Sequence, residues 1–308
     1  MKIEPQLLER AAALLREGRL VAFPTETVYG LGANALDPEA VRRIFEAKGR
    51  PATSPLIVHV DSIEMARRVT TAWPEAAERL ARRWWPGPLT LVLPKQASIP
   101  EIVTAGLDTV GVRIPNHPVA LALIRQAGIP IAAPSANRFT ELSPTTAEHV
   151  RQMLGDRVDL VLDGGPTEVG IESTVLSLAV DPPRLLRPGM VSREEIEALI
   201  GAIEVGATDP RQSPGLHSRH YSPSTRLLLV EDGALPDSGR GAYLYRERQA
   251  RAERSVAMPA GAASYAAALY AVLHELDSEG WDWIAVERPP ATPEWAAVND
   301  RLRRAASS

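Results

Sequence analysis

The chain has 308 residues, 45% of them hydrophobic and 23% charged, and its formal net charge is -4. This composition is ordinary for a soluble globular protein and provides no global basic field, so nucleic acid would have to bind at a local patch. Cysteine is absent, which excludes disulfides, thiolate metal sites and a cysteine nucleophile. The amino-terminal stretch lacks the apolar core of a signal peptide, and no apolar run approaches the length of a membrane span. A cytoplasmic protein without membrane contact is therefore expected.

The first part of the chain alternates helix and strand patterns. A helix is expected over 5–16, followed by a strand in RLVAFP that breaks at Pro24. Asp37 and Pro38 predict the start of the next helix, because Asp is a good N-cap and Pro is tolerated at the first helical position. Gly49 predicts the end of that helix.

Capping residues and turns divide the following stretch. Two capping-box spacings predict helix starts, one from Thr145 to Glu148 and one from Ser192 to Glu195. The later strands follow one another without a helix between them, which favours a mixed sheet over a purely parallel one. Strands are expected in PLIVHV, PLTLVLP, TVGVRIP, IPIAAPSAN, DLVLDGG, ESTVLSLA and RLLRPG, with helices near 62–69, 74–84, 117–127, 146–154 and 193–201.

The composition changes in GATDPRQSPGLHSRHYSPST, which is rich in Pro, Ser and Gly and has no hydrophobic period. A linker is expected over 206–225, between a larger domain over 1–205 and a small α/β domain over 226–308. His220 and Tyr221 in the linker indicate a segment that folds over a ligand, with a mobile tether as the alternative.

Common nucleotide and hydrolase motifs are missing from the sequence. There is no G-x-x-x-x-G-K-[ST], which excludes a P-loop enzyme, and no HExxH. GLGANA at 30–35 matches the relaxed dinucleotide pattern, but the next helix is expected only after Asp37, which disfavours a dinucleotide fold. PSAN lacks the glycines of a nucleophile elbow, which disfavours a serine hydrolase.

The segment KGRPATSP combines cations with residues that shape a loop. Lys48 has an ordinary explanation, since a lysine in the last turn of a helix complements the helix dipole, and Arg50 could be solvated. The glycine and prolines favour a ligand loop, in which Arg binds phosphate bidentately and Lys adds a point charge. Ser54 adds a hydroxyl. We therefore expect this loop to hold an anion.

Several other polar residues end predicted strands, where α/β sheets commonly bind ligands. Thr27 lies in PTETVYG, Ser135 and Asn137 lie in PSAN, and Arg187 precedes a Pro-Gly turn. Local turns explain the hydroxyls and the amide equally well. His59, inside an apolar strand, is by itself better explained as a core histidine.

Seven motifs occur in order over about residues 10–200: FPTETVYGLG, KGRP with SPLIVHV, WWPGPLTLVL, VGVRIPNHP, APSAN, ESTV and RPG. Together they resemble the L-threonylcarbamoyladenylate synthases, a family with the YrdC-like fold. The linker and the last segment resemble the longer, two-domain form of that family. The resemblance implies an open, twisted α/β sheet of mixed parallel and antiparallel strands around a basic concave cleft.

The resemblance also implies a reaction. L-threonine, bicarbonate or CO2 and ATP would give threonylcarbamoyl-AMP and pyrophosphate, with Mg2+ accompanying ATP and no metal site assigned to protein side chains. A separate transferase would then place the group on adenosine 37 of tRNA, and contact with tRNA or other RNA is a further expectation. No protein nucleophile is needed, so catalysis would consist of aligning two anions and stabilising charge on phosphate.

Two sets of ligand residues follow from the resemblance. Lys48 and Arg50 would act in catalysis by stabilising the phosphates. The expected L-threonine set is Thr27, His59, Arg113, Ala133 through its backbone, and Ser173. The expected ATP set is Arg50, Ser54, Thr109, Ser135, Asn137, Ser143, Arg187 and Tyr221.

Two other functions remain as alternatives. A double-stranded RNA-binding or ribosome-assembly protein could use the same concavity and would show steeply salt-dependent RNA affinity. The negative net charge and the small-ligand hydroxyls disfavour it. A carbamoyl-transfer enzyme acting on carbamoyl phosphate is disfavoured because the sequence lacks an acylphosphatase-like segment and zinc-finger cysteines.

Overall fold

The computed structural model describes residues 4–206, 221–231 and 233–306. Ten short strands of the first range form one sheet: β1 (Val21–Phe23), β2 (Gly30–Asn34), β3 (Ile57–His59), β4 (Leu89–Pro94), β5 (Thr109–Arg113), β6 (Ile131–Ala132), β7 (Leu160–Val161), β8 (Thr174–Ser177), β9 (Arg184–Arg187) and β10 (Glu204–Val205). The helices of this range are α1 (Pro5–Arg16), α2 (Pro38–Lys48), α3 (Ile63–Val69), α4 (Glu75–Trp84), α5 (Glu101–Thr104), α6 (Pro118–Ala127), α7 (Ala147–Leu154) and α8 (Arg193–Ile200).

The strands of this sheet lie in the order β10-β9-β8-β4-β5-β3-β6-β2-β1-β7. Neighbours β3 and β5 are parallel, as are β4 and β8, whereas β4 and β5 are antiparallel, as are β8 and β9. The mixed sheet expected from the sequence is confirmed. The chain over 4–206 is called the larger unit below.

Local capping residues set the ends of α2 as expected. The Asp37 side chain accepts hydrogen bonds from the backbone N–H groups of Glu39 and Ala40. Gly49 follows the helix with φ of 62°, a left-handed conformation that glycine adopts without a Cβ penalty. The helix therefore ends where its last residue, Lys48, and the following Arg50 turn into the centre of the fold.

The two predicted capping boxes have different outcomes. Ser192 and Glu195 form the box that was expected at the start of α8. Thr145 does not cap α7; the neighbouring Thr146 does, accepting from the His149 N–H. The carbonyl of Thr145 accepts a hydrogen bond from Thr167 N at 3.0 Å, and the helix starts one residue later than predicted.

A second, four-stranded sheet follows the linker. Its strands β11 (Arg226–Val230), β12 (Gly241–Tyr245), β13 (Arg254–Ala257) and β14 (Trp283–Glu287) lie in the order β11-β14-β12-β13 and are all parallel. Helices α9 (Ala262–Ser278) and α10 (Ala296–Ala306) pack with this sheet. The chain over 226–306 is called the smaller unit below.

The two units share one hydrophobic cluster. Val28, Leu142 and Ile171 of the larger unit are buried together with apolar residues of α9 and α10. Gly170 has φ of 76°, and a Cβ built on it would lie 2.5 Å from the Ala266 carbonyl oxygen of α9. A glycine is therefore required for this close helix contact, which brings α9 and α10 against the segment leading into β8.

Candidate functional site

A cleft of about 530 Å³, measured out to open solvent, crosses the middle of the larger sheet. Nine of the residues expected to bind ligands line it: Thr27, Arg50, His59, Arg113, Ala133, Ser135, Ser173, Arg187 and Tyr221. The structure thus brings the whole expected L-threonine set to one place, beside part of the expected ATP set.

Neighbouring strand ends position the L-threonine set. His59 and Arg113 are paired residues at the ends of the parallel strands β3 and β5. Ala133 follows β6, on the other side of β3, and donates its N–H to Ile57 O at 3.0 Å. Ser173 immediately precedes β8, and its Oγ lies 2.8 Å from Thr90 Oγ1. Ordinary strand pairing therefore assembles residues that are far apart in the sequence.

Arg113 is buried and presents a guanidinium among several oxygen atoms. Its Nη1 donates to Thr27 Oγ1 at 3.0 Å, and its Nε donates to Gly87 O at 3.1 Å. Its Nη2 lies 2.7 Å from Glu26 Oε2, an ion pair whose atoms are not aligned as a hydrogen bond. A buried cation with one poorly used donor is suited to receiving a ligand carboxylate.

His59 is held neutral by its surroundings. Burial, reinforced by the charge of Arg113, lowers the pKa of His59 to about 3. Its Nδ1 is buried and has no hydrogen-bond partner among the described residues. The ring packs edge-on against Phe23, with the ring centroids 6.2 Å apart. His59 therefore offers a neutral, unsatisfied nitrogen at the cleft, which a plain core histidine would not have.

This low pKa predicts a pH dependence of stability. Between the ordinary pKa of 6.5 and the folded value of about 3, the unfolded chain binds a proton that the folded chain does not. Stability is thus lost as the pH falls through this window. His59→Asn should flatten the slope of unfolding free energy against pH by up to about 1.4 kcal/mol per pH unit. Denaturant titrations across the window test this.

His149→Asn provides the matching control. Burial and the neighbouring His274 lower the pKa of His149 to about 4, so this substitution should flatten the slope above pH 4 in the same way. An unchanged slope in His59→Asn would contradict the low pKa of His59.

Arg50 lies at the cleft with its Nη2 2.5 Å from Ser54 Oγ and 3.0 Å from Pro55 O. Burial lowers the pKa of Arg50 to about 10, and the charge of Arg187 contributes. The Nε of Arg50 has no hydrogen-bond partner among the described residues. Ser54 itself orients Arg50 and does not line the cleft. The loop that follows α2 thus presents one guanidinium to the cleft.

Lys48 lies behind the lining of the cleft, and its expected catalytic role stays a prediction. It is buried and does not line the cleft. Its Nζ donates to Ser135 O at 2.6 Å, to Asn137 O at 2.5 Å and to Asn137 Oδ1 at 3.2 Å. Burial lowers the pKa of Lys48 well below its ordinary value, and Arg50 adds to the effect. Lys48 therefore holds the PSAN loop, and Asn137 lies behind that loop with it.

Arg187 joins the two expected ligand sets. Its Nε donates to Ser173 O at 3.1 Å, its Nη2 to Ser173 Oγ at 3.2 Å and its Nη1 to Tyr221 Oη at 3.3 Å. Tyr221 is buried, with a left-handed φ of 61° that is uncommon outside glycine. Its neighbour His220 lies outside the described residues. Tyr221, the first described residue of the second range and part of the expected linker, thus lines the cleft.

Glu172 lines the cleft although the sequence did not single it out. Its Oε1 accepts a hydrogen bond from Ser143 Oγ at 2.5 Å, and its Oε2 lies 2.7 Å from Nε of Arg301, in α10. Ser143 therefore contacts the cleft lining without being part of it. The one available signal was the glutamate directly before Ser173 in GIEST; nothing in the local sequence indicates Arg301.

Thr109 is not brought to the cleft. It begins β5, pairs with Pro94 and lines a small adjoining cavity beside Pro55 and Ile57.

The cleft lining contains three arginines and one carboxylate: Arg50, Arg113, Arg187 and Glu172. The basic character expected of the cleft stays a prediction.

Clusters that could hold a metal ion and helices that could span a membrane are both missing from residues 4–206, 221–231 and 233–306. Among these residues, no group of three acidic or histidine side chains comes together that could hold a metal ion. Over the same residues, no helix combines the length and apolarity needed to cross a bilayer.

The chain is a mixed α/β protein with a central cleft lined by buried arginines and hydroxyls. Two family models match the chain: Sua5_yciO_yrdC, described as telomere recombination, over 13–189, and the threonylcarbamoyl-AMP synthase C-terminal domain over 191–307. The chain belongs to the Sua5/YciO/YrdC family, in the form that carries this C-terminal domain.

Individual relatives match three quarters of this chain or more. The threonylcarbamoyl-AMP synthase of Bacillus subtilis is 46% identical, across 98% of this chain and 93% of its own. That of Pyrococcus abyssi is 52% identical, across 75% of this chain and 69% of its own. A solved structure of P. abyssi Sua5 complexed with L-threonine matches with a TM-score of 0.92 and 42% identity, covering 99% of this chain and 96% of that one.

Proposed function

We propose that this protein synthesises L-threonylcarbamoyl-AMP from L-threonine, bicarbonate or CO2 and ATP, releasing pyrophosphate. The observation that carries the proposal is the convergence of the whole expected L-threonine set with Arg50, Ser135 and Arg187 on one cleft. The names of the relatives and the L-threonine complex of P. abyssi Sua5 support it. The product is the activated group for tRNA threonylcarbamoyladenosine, which a separate transferase uses.

The L-threonine half of the cleft binds and orients the amino acid. Arg113 receives its carboxylate, and Thr27, His59 and Ser173 surround its polar groups, with the Ala133 backbone as a further contact. Because His59 is neutral, it forms hydrogen bonds without adding charge beside the amine. The neutral amine nitrogen forms a bond to the carbon of CO2, one C=O π bond opens onto oxygen, and the proton lost from nitrogen passes to solvent, which gives a carbamate.

The nucleotide half aligns ATP for the second step. A carbamate oxygen forms a bond to the α-phosphorus, the bond to the β-phosphate oxygen breaks, and pyrophosphate leaves. Arg50 and Arg187 stabilise the charge that grows on phosphate, and Ser135 contacts the nucleotide from the PSAN loop. Lys48, Asn137, Ser54 and Ser143 act by holding these groups. Tyr221 covers the cleft and excludes water from a labile mixed anhydride.

ATP binds as its magnesium complex, so Mg2+ belongs to the substrate in this proposal. Magnesium in such sites is commonly held by substrate phosphates and waters, with few protein carboxylates. Glu172, the carboxylate at the cleft, is already engaged by Arg301 and Ser143. We assign no protein ligand to the ion.

Pyrophosphate release by the purified protein tests the function directly. With ATP, Mg2+ and bicarbonate, release should require L-threonine, and L-serine should support it poorly because it lacks the methyl group. Release without threonine dependence would contradict the proposal.

The duplex-RNA alternative is not favoured by the relatives of this chain. It would require salt-dependent RNA binding without any need for threonine.

A further inference from the structure

Arg301 connects the smaller unit to the cleft of the larger one. It lies in α10, and its side chain has no exposure to solvent. Its Nε lies 2.7 Å from Glu172 Oε2, and its Nη2 donates to Glu172 O at 3.3 Å. Its Nη1 lies 2.7 Å from Oδ2 of Asp300, the preceding residue. A cation this deeply buried is tolerated only because such partners compensate its desolvation.

Glu172 needs this partner because of where it lies. It is buried at a cleft that contains two arginines expected to contact phosphate, and a bare carboxylate there would repel ATP. Burial by itself raises the pKa of Glu172, but the charges of Arg301 and Arg187, with hydrogen bonds from Ser143 and Arg301, bring it below the ordinary value. The carboxylate is therefore charged, and Arg301 compensates it.

The same guanidinium also supports Tyr221. The central carbon of the Arg301 guanidinium lies 5.2 Å from the centroid of the Tyr221 ring, a cation–π distance. The hydroxyl at the other end of Tyr221 accepts a hydrogen bond from Arg187. Tyr270 of α9 lies beside the Tyr221 ring, with centroids 6.1 Å apart, and donates to Glu172 Oε2 at 3.3 Å. Two helices of the smaller unit thus fix residues of the cleft.

We propose that Arg301 is a positioning residue for the nucleotide half of the cleft, where it neutralises Glu172 and holds the Tyr221 ring. The smaller unit then completes the site that the larger unit carries. This inference rests on the proposed function, because it assigns the role of Arg301 with respect to ATP. It concerns binding geometry and charge, so it can be measured without turnover.

Calorimetric titration of ATP with Mg2+ into the full-length protein tests the inference. Arg301→Met should weaken ATP affinity by at least about tenfold, since it removes the cation that contributes most to compensating Glu172. In a Glu172→Gln background, the same substitution should cost much less ATP affinity, because the cleft lining then contains no carboxylate and Asp300, the other partner of Arg301, keeps its ion pair with Arg304. Arg301→Lys keeps the charge and should lie between the wild type and Arg301→Met.

Arg303→Met is the matched control, since it makes the same change in the same helix at an exposed residue. It should leave ATP affinity unchanged. Unchanged ATP affinity in Arg301→Met and Arg301→Lys would reduce Arg301 to a structural residue and overturn the inference. An equal loss with and without Glu172→Gln would overturn the neutralisation of Glu172. If Arg301→Met does not fold, the ATP affinity of Arg301→Lys, measured with and without Glu172→Gln, tests the inference in its place.

Failure of the proposed function gives a different pattern. If the wild type binds ATP and the variants behave as expected, but pyrophosphate release does not depend on L-threonine, the proposed reaction is wrong and the role of Arg301 in ATP binding stands. If the wild type binds no ATP, both are overturned.

Discussion

Methionine in place of Arg187 should lower kcat/KM for ATP by about 100- to 1,000-fold, the usual effect of removing one preorganised donor from a charged transition state. The guanidinium of Arg187 contacts both Ser173 and Tyr221, so it lies where the L-threonine and nucleotide halves of the cleft meet. Methionine keeps most of the volume of the stem but none of the charge. Steady-state pyrophosphate release at varied ATP measures the effect.

Arg184→Met is the control for this substitution. Arg184 lies in the same strand, β9, and pairs with the exposed Glu204 at the sheet edge, away from the cleft lining. Its loss should leave kcat/KM close to that of the wild type, because exposed ion pairs contribute little. Wild-type turnover in folded Arg187→Met would mean that Arg187 does not stabilise the reacting phosphate.

Lys48→Met should weaken the binding of ATP and of L-threonine alike, each by about tenfold or more. It should also lower the free energy of unfolding by about 2–4 kcal/mol, because it leaves buried acceptors on Ser135 and Asn137 unsatisfied. The reason for the double effect is the PSAN loop, which carries Ser135 for the nucleotide and continues from Ala133 of the L-threonine set. Binding of each ligand alone, measured by calorimetry, separates this role from a direct one.

A lysine that contacted only phosphate would give a different result. L-threonine affinity measured without ATP would then be unchanged in Lys48→Met, which would contradict the loop-holding role. Arg43→Met, an exposed substitution in the same helix, should change neither affinity. Full retention of turnover and ATP affinity in Lys48→Met would exclude both roles.

The sequence predicted those elements whose ends are set by local chemistry. Asp37, Gly49 and Ser192 act on backbone groups within a few residues, so their effects can be inferred from spacing alone. Thr146 caps α7 in place of Thr145, whose carbonyl is bonded to Thr167 of a distant segment. The GLGAN strand, β2, was not expected since glycine and alanine have low strand propensity, and its pairing with β1 and β6 stabilises it.

The same distinction between local and long-range effects applies to the candidate site. Motifs identified the residues whose side chains reach the cleft from strand ends, because strand pairing fixes where those ends meet. They gave no information on the direction of the Lys48 side chain, which depends on how the PSAN loop folds back on α2. Arg301 lies 129 residues from Glu172 in the sequence, so only the docking of the two units shows that they are partners.

The hydrophobic cluster shared by the two units bears on how such proteins diverge. Ile171 is packed against α9 and α10, yet it lies two residues before Ser173, and Gly170 touches the α9 backbone. A change at either position alters an internal surface and the approach to the ligand site at once. The carboxyl-terminal segment is therefore poorly suited to modular exchange by recombination, and its sequence should drift together with the segment before β8.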